Sequence, residues 1–353
     1  MRFSRLFAAT AATATLALLA SPGLAAEAVP TSQAPSAVTA QAAAAGTSVR
    51  FATFNVRTSK ADIGTSRQWL RRALSVAQEI KSSNPGIVAI QEAGPGRADG
   101  KAGPLDGAIR QTASLEQALK SVGAGRYQLA RVTSYVKPGT THGTQGTRIL
   151  YDTTKYRLVS KCVETTGKSN YHGSCSMNMP IRKGDPESRR RSAAYAEFES
   201  RSTGRNFFVI SVHLDERHSS TLSYEKAYDA LRAAQARAVY SKVNSLANGK
   251  PIILGGDINS WRTKAGSHAP FNYLYSKGFR DAVAKAPTKI DAQYPTINHW
   301  KTTLKANAKG RQVALDVIML NRGKSFSRYE NVMKVVDSSR PSDHNMQVAS
   351  LVL

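Results

Sequence analysis

The chain has 353 residues, 41 % of them apolar, which is enough for a sizeable core and excludes a chain too polar to fold. Lysine and arginine outnumber aspartate and glutamate by 49 to 24, giving a formal charge of +25. A balance this basic concerns partners and not fold: it favours nucleic acid, an anionic membrane surface or an acidic cell-wall polymer.

Residues 1–28 read as a secretory signal, with Arg2 and Arg5 ahead of an apolar run from Phe7 to Ala20 and small residues after it. The run is too short for a membrane span. Cleavage fits after Ala25 or Ala28; the second choice removes two arginines and Glu27 and leaves 25 − 2 + 1 = +24. Residues 29–47, rich in Ala, Ser, Thr, Gln and Pro, read as a linker. The folded domain is then expected over 48–353. Cys162 and Cys175 form an even pair in an exported chain, which predicts one disulfide.

VRFATFN, Val49 to Asn55, predicts an edge-like strand with alternating faces. A helix is expected from Ser66, as N-cap, to Lys81, with Trp69, Leu70, Ala73, Val76, Ala77 and Ile80 on its buried stripe. It stops before Asn84-Pro85-Gly86. IVAIQ, Ile87 to Gln91, is a strand covered on both faces, and Glu92 stands where it emerges. A Gly-rich loop follows, then a short helix Leu115–Val122 and strands Tyr127–Val132, Thr147–Tyr151 and Tyr156–Val163. Arg148 is expected to snorkel to solvent. RKGDPESRRR, ending at Arg191, reads first as a solvated loop and second as a polyanion contact.

Tyr195–Glu199 and Asn206–His213 predict a hairpin whose second strand ends on His213. A lone histidine at the end of an apolar strand is more often a satisfied structural group than a catalyst. A long helix, Ser223–Leu246, is expected to bury Ala227, Leu231, Ala234, Ala238, Val243 and Leu246 and to expose Arg232, Arg237 and Lys242. PIILGGDINSW, Pro251 to Trp261, is a buried strand running into a turn, and its glycines allow a bend or the approach of an anion. Asp257 and Asn259 share parity and could grip a phosphate, a water or a metal; a turn in which they bond their own backbone is the alternative. A short helix is expected over Phe271–Lys277. VALDVIML, Val313 to Leu320, is an apolar strand interrupted by Asp316, a charge that needs a partner. Val332–Val336 is a further strand. Asp343-His344 then heads a last strand, Met346–Leu353.

FNVR, IQEAG, SVHLD, GGDINS, LDVIML and SDHN, in that order, resemble the endonuclease/exonuclease/phosphatase superfamily across nearly all of 48–353. The resemblance implies an α/β (α+β) fold: a four-layer α/β/β/α sandwich of two packed mixed β-sheets flanked by helices, with the active site at one end. It also implies a metal-dependent phosphodiesterase. Glu92, with Asn55 and Asp343, would hold Mg²⁺, Mn²⁺ and Ca²⁺ being the alternatives. His344 or Asp257 would be the base for water, with Asp316 holding His344. An Asp-paired His344 that stays charged and binds the phosphate is the other reading. His213 would serve as acid or phosphate donor, and Asn259 would orient Asp257. The charge points to a nuclease acting on DNA, with RNA as a second candidate, and the signal segment to a secreted, extracellular one. A sphingomyelinase-type phospholipid phosphodiesterase, acting at an anionic membrane, or a phosphatase is the alternative. Tyr294–Trp300 is too short and polar for a membrane wedge. No obligate protein partner is evident.

Overall fold

Apolar residues that alternate between two buried faces assemble the strands into two sheets. The computed structural model describes residues 46–103, 105–130, 146–162, 175–261, 268–306, 314–335 and 339–353. The signal segment and nearly all of the linker lie outside them.

The first sheet contains β1 (Ser48–Asn55), β2 (Ile87–Gln91), β3 (Tyr127–Leu129), β4 (Arg148–Asp152), β11 (Thr288–Ile290), β13 (Ser325–Val332) and β14 (Met346–Val352). Its order is β11-β13-β14-β1-β2-β4-β3. The second contains β5 (Tyr156–Leu158), β6 (Ser176–Asn178), β7 (Ser192–Ser200), β8 (Asn206–His213), β9 (Ile252–Asp257), β10 (Arg280–Asp281) and β12 (Asp316–Asn321). Its order is β10-β12-β9-β8-β7-β5, with β6 on β7. Both sheets mix parallel and antiparallel pairs; β1–β2 and β8–β9 are parallel, as strand–helix–strand connections require.

Three apolar layers separate four structural ones. Val49, Phe51, Ile87 and Ala89 meet Phe207, Val209, Ile253 and Ile318 between the sheets. Ala52, Phe54, Val88 and Ile90 face outward onto α1 (Trp69–Ser83) and α2 (Gln111–Ser121). Phe208, Ile210, Ile252 and Leu254 face α3 (Leu222–Ala247) and α4 (Ala269–Ser276). A last short helix, α5 (Ala282–Lys285), is capped by the Asp281 side chain. This is the expected α/β/β/α sandwich.

Several local expectations differ. β1 is central, between β14 and β2, because both of its faces are apolar enough to be covered. α1 begins at Trp69 with Gln68 at its N-cap, not at Ser66, and Leu70 is half exposed. Gly255 and Gly256 lie inside β9 and not in a turn. A Cβ on Gly255 would stand 2.6 Å from Phe51 of the opposite sheet, and one on Gly256 would stand 2.3 Å from the Val212 carbonyl, so these glycines serve close packing. The strand before the C-terminal one is Ser325–Val332, not Val332–Val336. β3 and β5 are three residues each, shorter than expected.

Two arginines expected at the surface, Arg148 and Arg232, are interior, and so is Arg72 of α1. Arg72, Arg148 and Arg232 are 4, 3 and 0 % exposed. α3 buries Leu231 and Val243 as expected, but its inner face also carries Glu225, Asp229, Arg232 and Gln235, while Leu246 is exposed. An alanine-rich helix has too little apolar contrast to reveal its inner side. Cys162 and Cys175 are disulfide-bonded, with Cα atoms 5.4 Å apart.

Candidate active site

The strand order brings four of the eight predicted residues, Asn55, His213, Asp257 and Asp316, to strand ends, with Glu92, Asn259, Asp343 and His344 in the adjoining loops. In the second sheet, His213 is the register partner of Asp257, and Asp257 is the partner of Asp316. In the first, Asn55 pairs with Gln91, the residue before Glu92. Asp343 and His344 lie just before β14, separated from it by Asn345, and an isolated bridge joins His344 to Ile297. Asp316 is therefore the first residue of β12 and not a strand-interior acid. Asn259 lies two residues beyond β9.

Glu92 has left-handed backbone, φ +62°, which a non-glycine residue adopts only when its surroundings fix it. The Asn55 amide donates from Nδ2 to Glu92 Oε1 at 3.1 Å and to Asp257 Oδ2 at 3.2 Å. One side chain thus links the two sheets' acids. The backbone N–H of Thr58 donates to Glu92 Oε2 at 2.8 Å. Asp343 accepts from Arg57 Nη1 at 2.7 Å, and Arg57 is braced in turn by Asp62. Ser342 donates to the Asn55 carbonyl at 2.7 Å, fixing the last loop against β1.

On the other side, His344 Nδ1 and Asp316 Oδ2 are 2.9 Å apart. His344 Nε2 faces Asp257 Oδ2 at 3.8 Å, and His213 Nε2 faces the same oxygen at 3.5 Å. Asn259, also left-handed at φ +47°, donates its backbone N–H to Asp257 Oδ1 at 3.0 Å, while its side chain donates to the Leu214 carbonyl. Both readings of the DINS turn thus meet in one place: it bonds its own backbone and so aims Asp257.

Charge states follow from burial and neighbours. Burial opposes the His344 imidazolium, but Asp316, with Asp257 and Asp343, outweighs it and raises the pKa to about 10. Burial, with the Asp316 charge beside it, pushes Asp257 up to about 6 against the pull of His344 and its hydrogen bonds. Burial, then the Arg191 and His344 cations, holds His213 well below the ordinary histidine value. At neutral pH the site holds a protonated His344, an ionised Asp257 and a neutral His213.

Two groups could meet a metal. Asp257, Asp316 and His344 each offer one ligand atom, all within 4.8 Å of one another. A protonated imidazole cannot ligate, and its Nδ1 is taken by Asp316, so this set serves better as a hydrogen-bonded unit. Glu92, Asp343 and Asn55 form an all-oxygen donor set, which suits a hard divalent cation. Each Glu92 oxygen accepts one hydrogen bond and keeps a lone pair.

Sequence reasoning missed the residues that hold this geometry. Arg57 stands inside the FNVR motif, which was its only signal. Arg72 donates to the carbonyls of Val56, Arg57 and Pro341. Arg232 donates to Ser260 Oγ at 2.8 Å and to Glu225, pinning the DINS turn to α3. Asn298 Nδ2 donates to the Ser342 carbonyl and to Asn345.

A family model for the Endonuclease/Exonuclease/phosphatase family matches residues 52–344. The chain belongs to that family. Its chemistry is therefore that of phosphoric ester hydrolysis, and divalent-metal dependence is general among such hydrolases. Similar solved structures include an endonuclease/exonuclease/phosphatase family protein from Bacteroides thetaiotaomicron, with TM-score 0.63 and 19 % identity over 87 % of this chain and 98 % of that one. The mannosyl-6-phosphatase Bt3783 of the same organism gives 0.59 at 19 % identity, over 86 % and 100 %. D. rerio TDP2, complexed with a single-strand DNA product, gives 0.56 at 16 % identity, over 87 % and 100 %. At these identities the likeness concerns the fold. Among curated proteins, the uncharacterized YbhP of Escherichia coli K12 is 27 % identical over 108 residues, 31 % of this chain and 38 % of its own length.

Proposed function

We propose that this family member is a secreted, Mg²⁺-dependent phosphodiesterase that cleaves nucleic acid. The observation carrying the reading is the Asn55 amide shared between Glu92 and Asp257, which joins an oxygen donor set to a His–Asp unit in one site. Glu92 and Asp343 would hold the metal, with Asn55 aligning Glu92. A bound divalent cation supplies Lewis-acid stabilisation of charge on the phosphoryl oxygens.

The chain's own groups do the rest. Asp257, ionised above about pH 6, takes the proton of the attacking water, its oxygens aimed by Asn55 and the Asn259 N–H. His344, kept charged by Asp316, donates from Nε2 to a phosphoryl oxygen. Neutral His213 offers a ring nitrogen beside them. The choice of Asp257 over His344 as base follows from His344 already holding its proton.

The charge of +25 supports a polyanionic substrate, since phosphate neutralisation drives non-specific binding. The basic loop 182–191 sits beside the end of β8, tied there by Arg191–Glu216 and Arg217–Asp185. Trp300 does not serve as a membrane wedge: Arg67 and Arg72 lie 5.3 and 5.6 Å from its ring centre. Export is supported by the disulfide. Among the described residues, no helix is long and apolar enough to cross a membrane.

The test is product release from plasmid DNA, RNA and sphingomyelin vesicles, with Mg²⁺ and with EDTA. Plasmid nicking that requires metal and falls about a hundredfold or more in Glu92→Gln and His344→Ala is expected. Phosphocholine release with intact plasmid would replace the nuclease by a lipid phosphodiesterase.

A further inference from the structure

Eight buried side-chain polar atoms among the described residues have no hydrogen-bond partner. Four of them, Asn178 Oδ1, Ser192 Oγ, His213 Nδ1 and Asp316 Oδ1, belong to one row at the active-site end of the second sheet, and a fifth, Arg191 Nη1, is on the residue just before Ser192. Asn178 pairs with Ser192. The β7–β8 register, which pairs Ala194 with Ser211, carried two residues further puts Ser192 opposite His213. His213 pairs with Asp257, and Asp257 with Asp316. The catalytic row therefore continues past His213 across two more strands.

Its two halves differ. Asp257 and Asp316 are engaged with His344, Asn55 and Asn259. Asn178 Oδ1, Arg191 Nη1 and Ser192 Oγ have no partner. Each such buried group costs about 1–3 kcal/mol unless something arrives to pair with it. Arg191 is 8 % exposed and Ser192 4 % exposed. Glu216 takes Arg191 Nη2, so one edge of the guanidinium is spent and Nη1 is left. A free guanidinium N–H, a hydroxyl and a neutral imidazole nitrogen suit an oxyanion, and a phosphate above all. The Asn178 amide can turn to present its NH₂ to the same ligand.

We propose that Asn178, Arg191 and Ser192 form a second phosphate subsite, which binds the phosphodiester neighbouring the one being cleaved. This rests on the phosphodiesterase reading of the same site. β7 lies two strands from β9, about 10 Å. A lone phosphomonoester is too small to reach both Asp257 and this subsite; a nucleic acid strand, with a phosphate at every nucleotide, reaches both. The subsite thus selects chains over single phosphate esters.

The experiment measures equilibrium binding to the full chain, in chelator so that nothing is cleaved. The probes are a thymidine dinucleotide with one phosphate and a trinucleotide with two. The wild type should bind the second about tenfold more tightly. That ratio should fall to about twofold in Arg191→Met and by about threefold in Ser192→Ala. Ser192 Oγ has no partner to lose, so this variant decides the matter if Arg191→Met does not fold. Lys242→Gln, the same loss of charge on the outer face of α3, should leave the ratio as it is. Equal affinities in the wild type, a ratio insensitive to both variants, an equal fall in Lys242→Gln, or no binding of either probe would overturn the proposal and leave the row to ordered water. Turnover of bis(p-nitrophenyl) phosphate with Mg²⁺ reports separately: its absence in the wild type sinks the phosphodiesterase reading, whatever the binding ratio.

Discussion

Replacing Asp316 with Asn isolates the charge that keeps the proton on His344. The two side chains are 1 and 6 % exposed, so solvent screens their interaction little. In the wild type the His344 pKa stands at about 10, against an unfolded value near 6.5. A histidine whose folded pKa is raised stabilises the fold fully below its unfolded pKa, and that contribution is lost as pH rises through the folded one. The window is therefore about pH 6.5 to 10. In Asp316→Asn the amide still accepts a hydrogen bond from Nδ1, but burial is then opposed only by Asp257 and Asp343, and His344 gives up its proton at a lower pH than in the wild type.

The stability advantage of the wild type should then shrink as pH rises, by at most about 1.4 kcal/mol per pH unit and at most about 2.7 kcal/mol between pH 7 and 9. Asp257 titrates below this range, and Glu79, which titrates within it, is common to both proteins and cancels. The assay is urea denaturation of both proteins in EDTA at several pH values, with the imidazole resonances followed by NMR. A stability difference that stays flat from pH 7 to 9 would refute the assignment of a charged His344, and with it the division of labour between His344 and Asp257.

Two further outcomes are expected. The logarithm of kcat/KM should rise with pH through about 6, where Asp257 ionises; a rise confined to the approach to pH 10 would make His344 the base instead. Glu79 is buried on α1, one of its oxygens has no partner, and desolvation raises its pKa to about 8. Its stabilising contribution is therefore complete below about pH 4.5 and is lost by pH 9, so Glu79→Gln should raise the melting temperature at pH 9 and not at pH 5; the opposite order would show that Lys334 and Arg340 govern this carboxylate.

Much of the fold was legible because the strands are dense in apolar residues and end on polar ones. IVAIQ-Glu92 and FFVISVH-Leu214 announce both the strand and its end, and the structure ends β2 at Gln91 and β8 at His213. Asp316 was harder. In VALDVIML it looks like an interruption, because periodicity does not show that pairing with β9 starts only at the acid itself. The central place of β1 was hidden for a related reason: Thr53 and Asn55 make the segment look half-polar, yet Thr53 bonds Gln91 and Asn55 bonds two carboxylates inside the sandwich.

What hydropathy reads worst is a buried cation, and this site leans on two. Arg72 and Arg232 stand on α1 and α3, the outer helices on opposite sides of the sandwich, where an arginine is ordinarily a solvent-facing residue. Both instead cross the helix–sheet interface. Arg72 gathers the carbonyls of Val56, Arg57 and Pro341, the chain beside Asn55 and Asp343. Arg232 gathers Ser260 Oγ, the Arg217 carbonyl and Glu225, the chain beyond Asp257 and His213. Each arginine's N–H groups tie loop segments that no strand pairing would hold. The strands therefore set where the catalytic groups emerge, while one arginine on each side fixes the loops that follow. Burying a charge there is costly unless it is paired; the partners are loop carbonyls for Arg72, and a hydroxyl, a carboxylate and one carbonyl for Arg232.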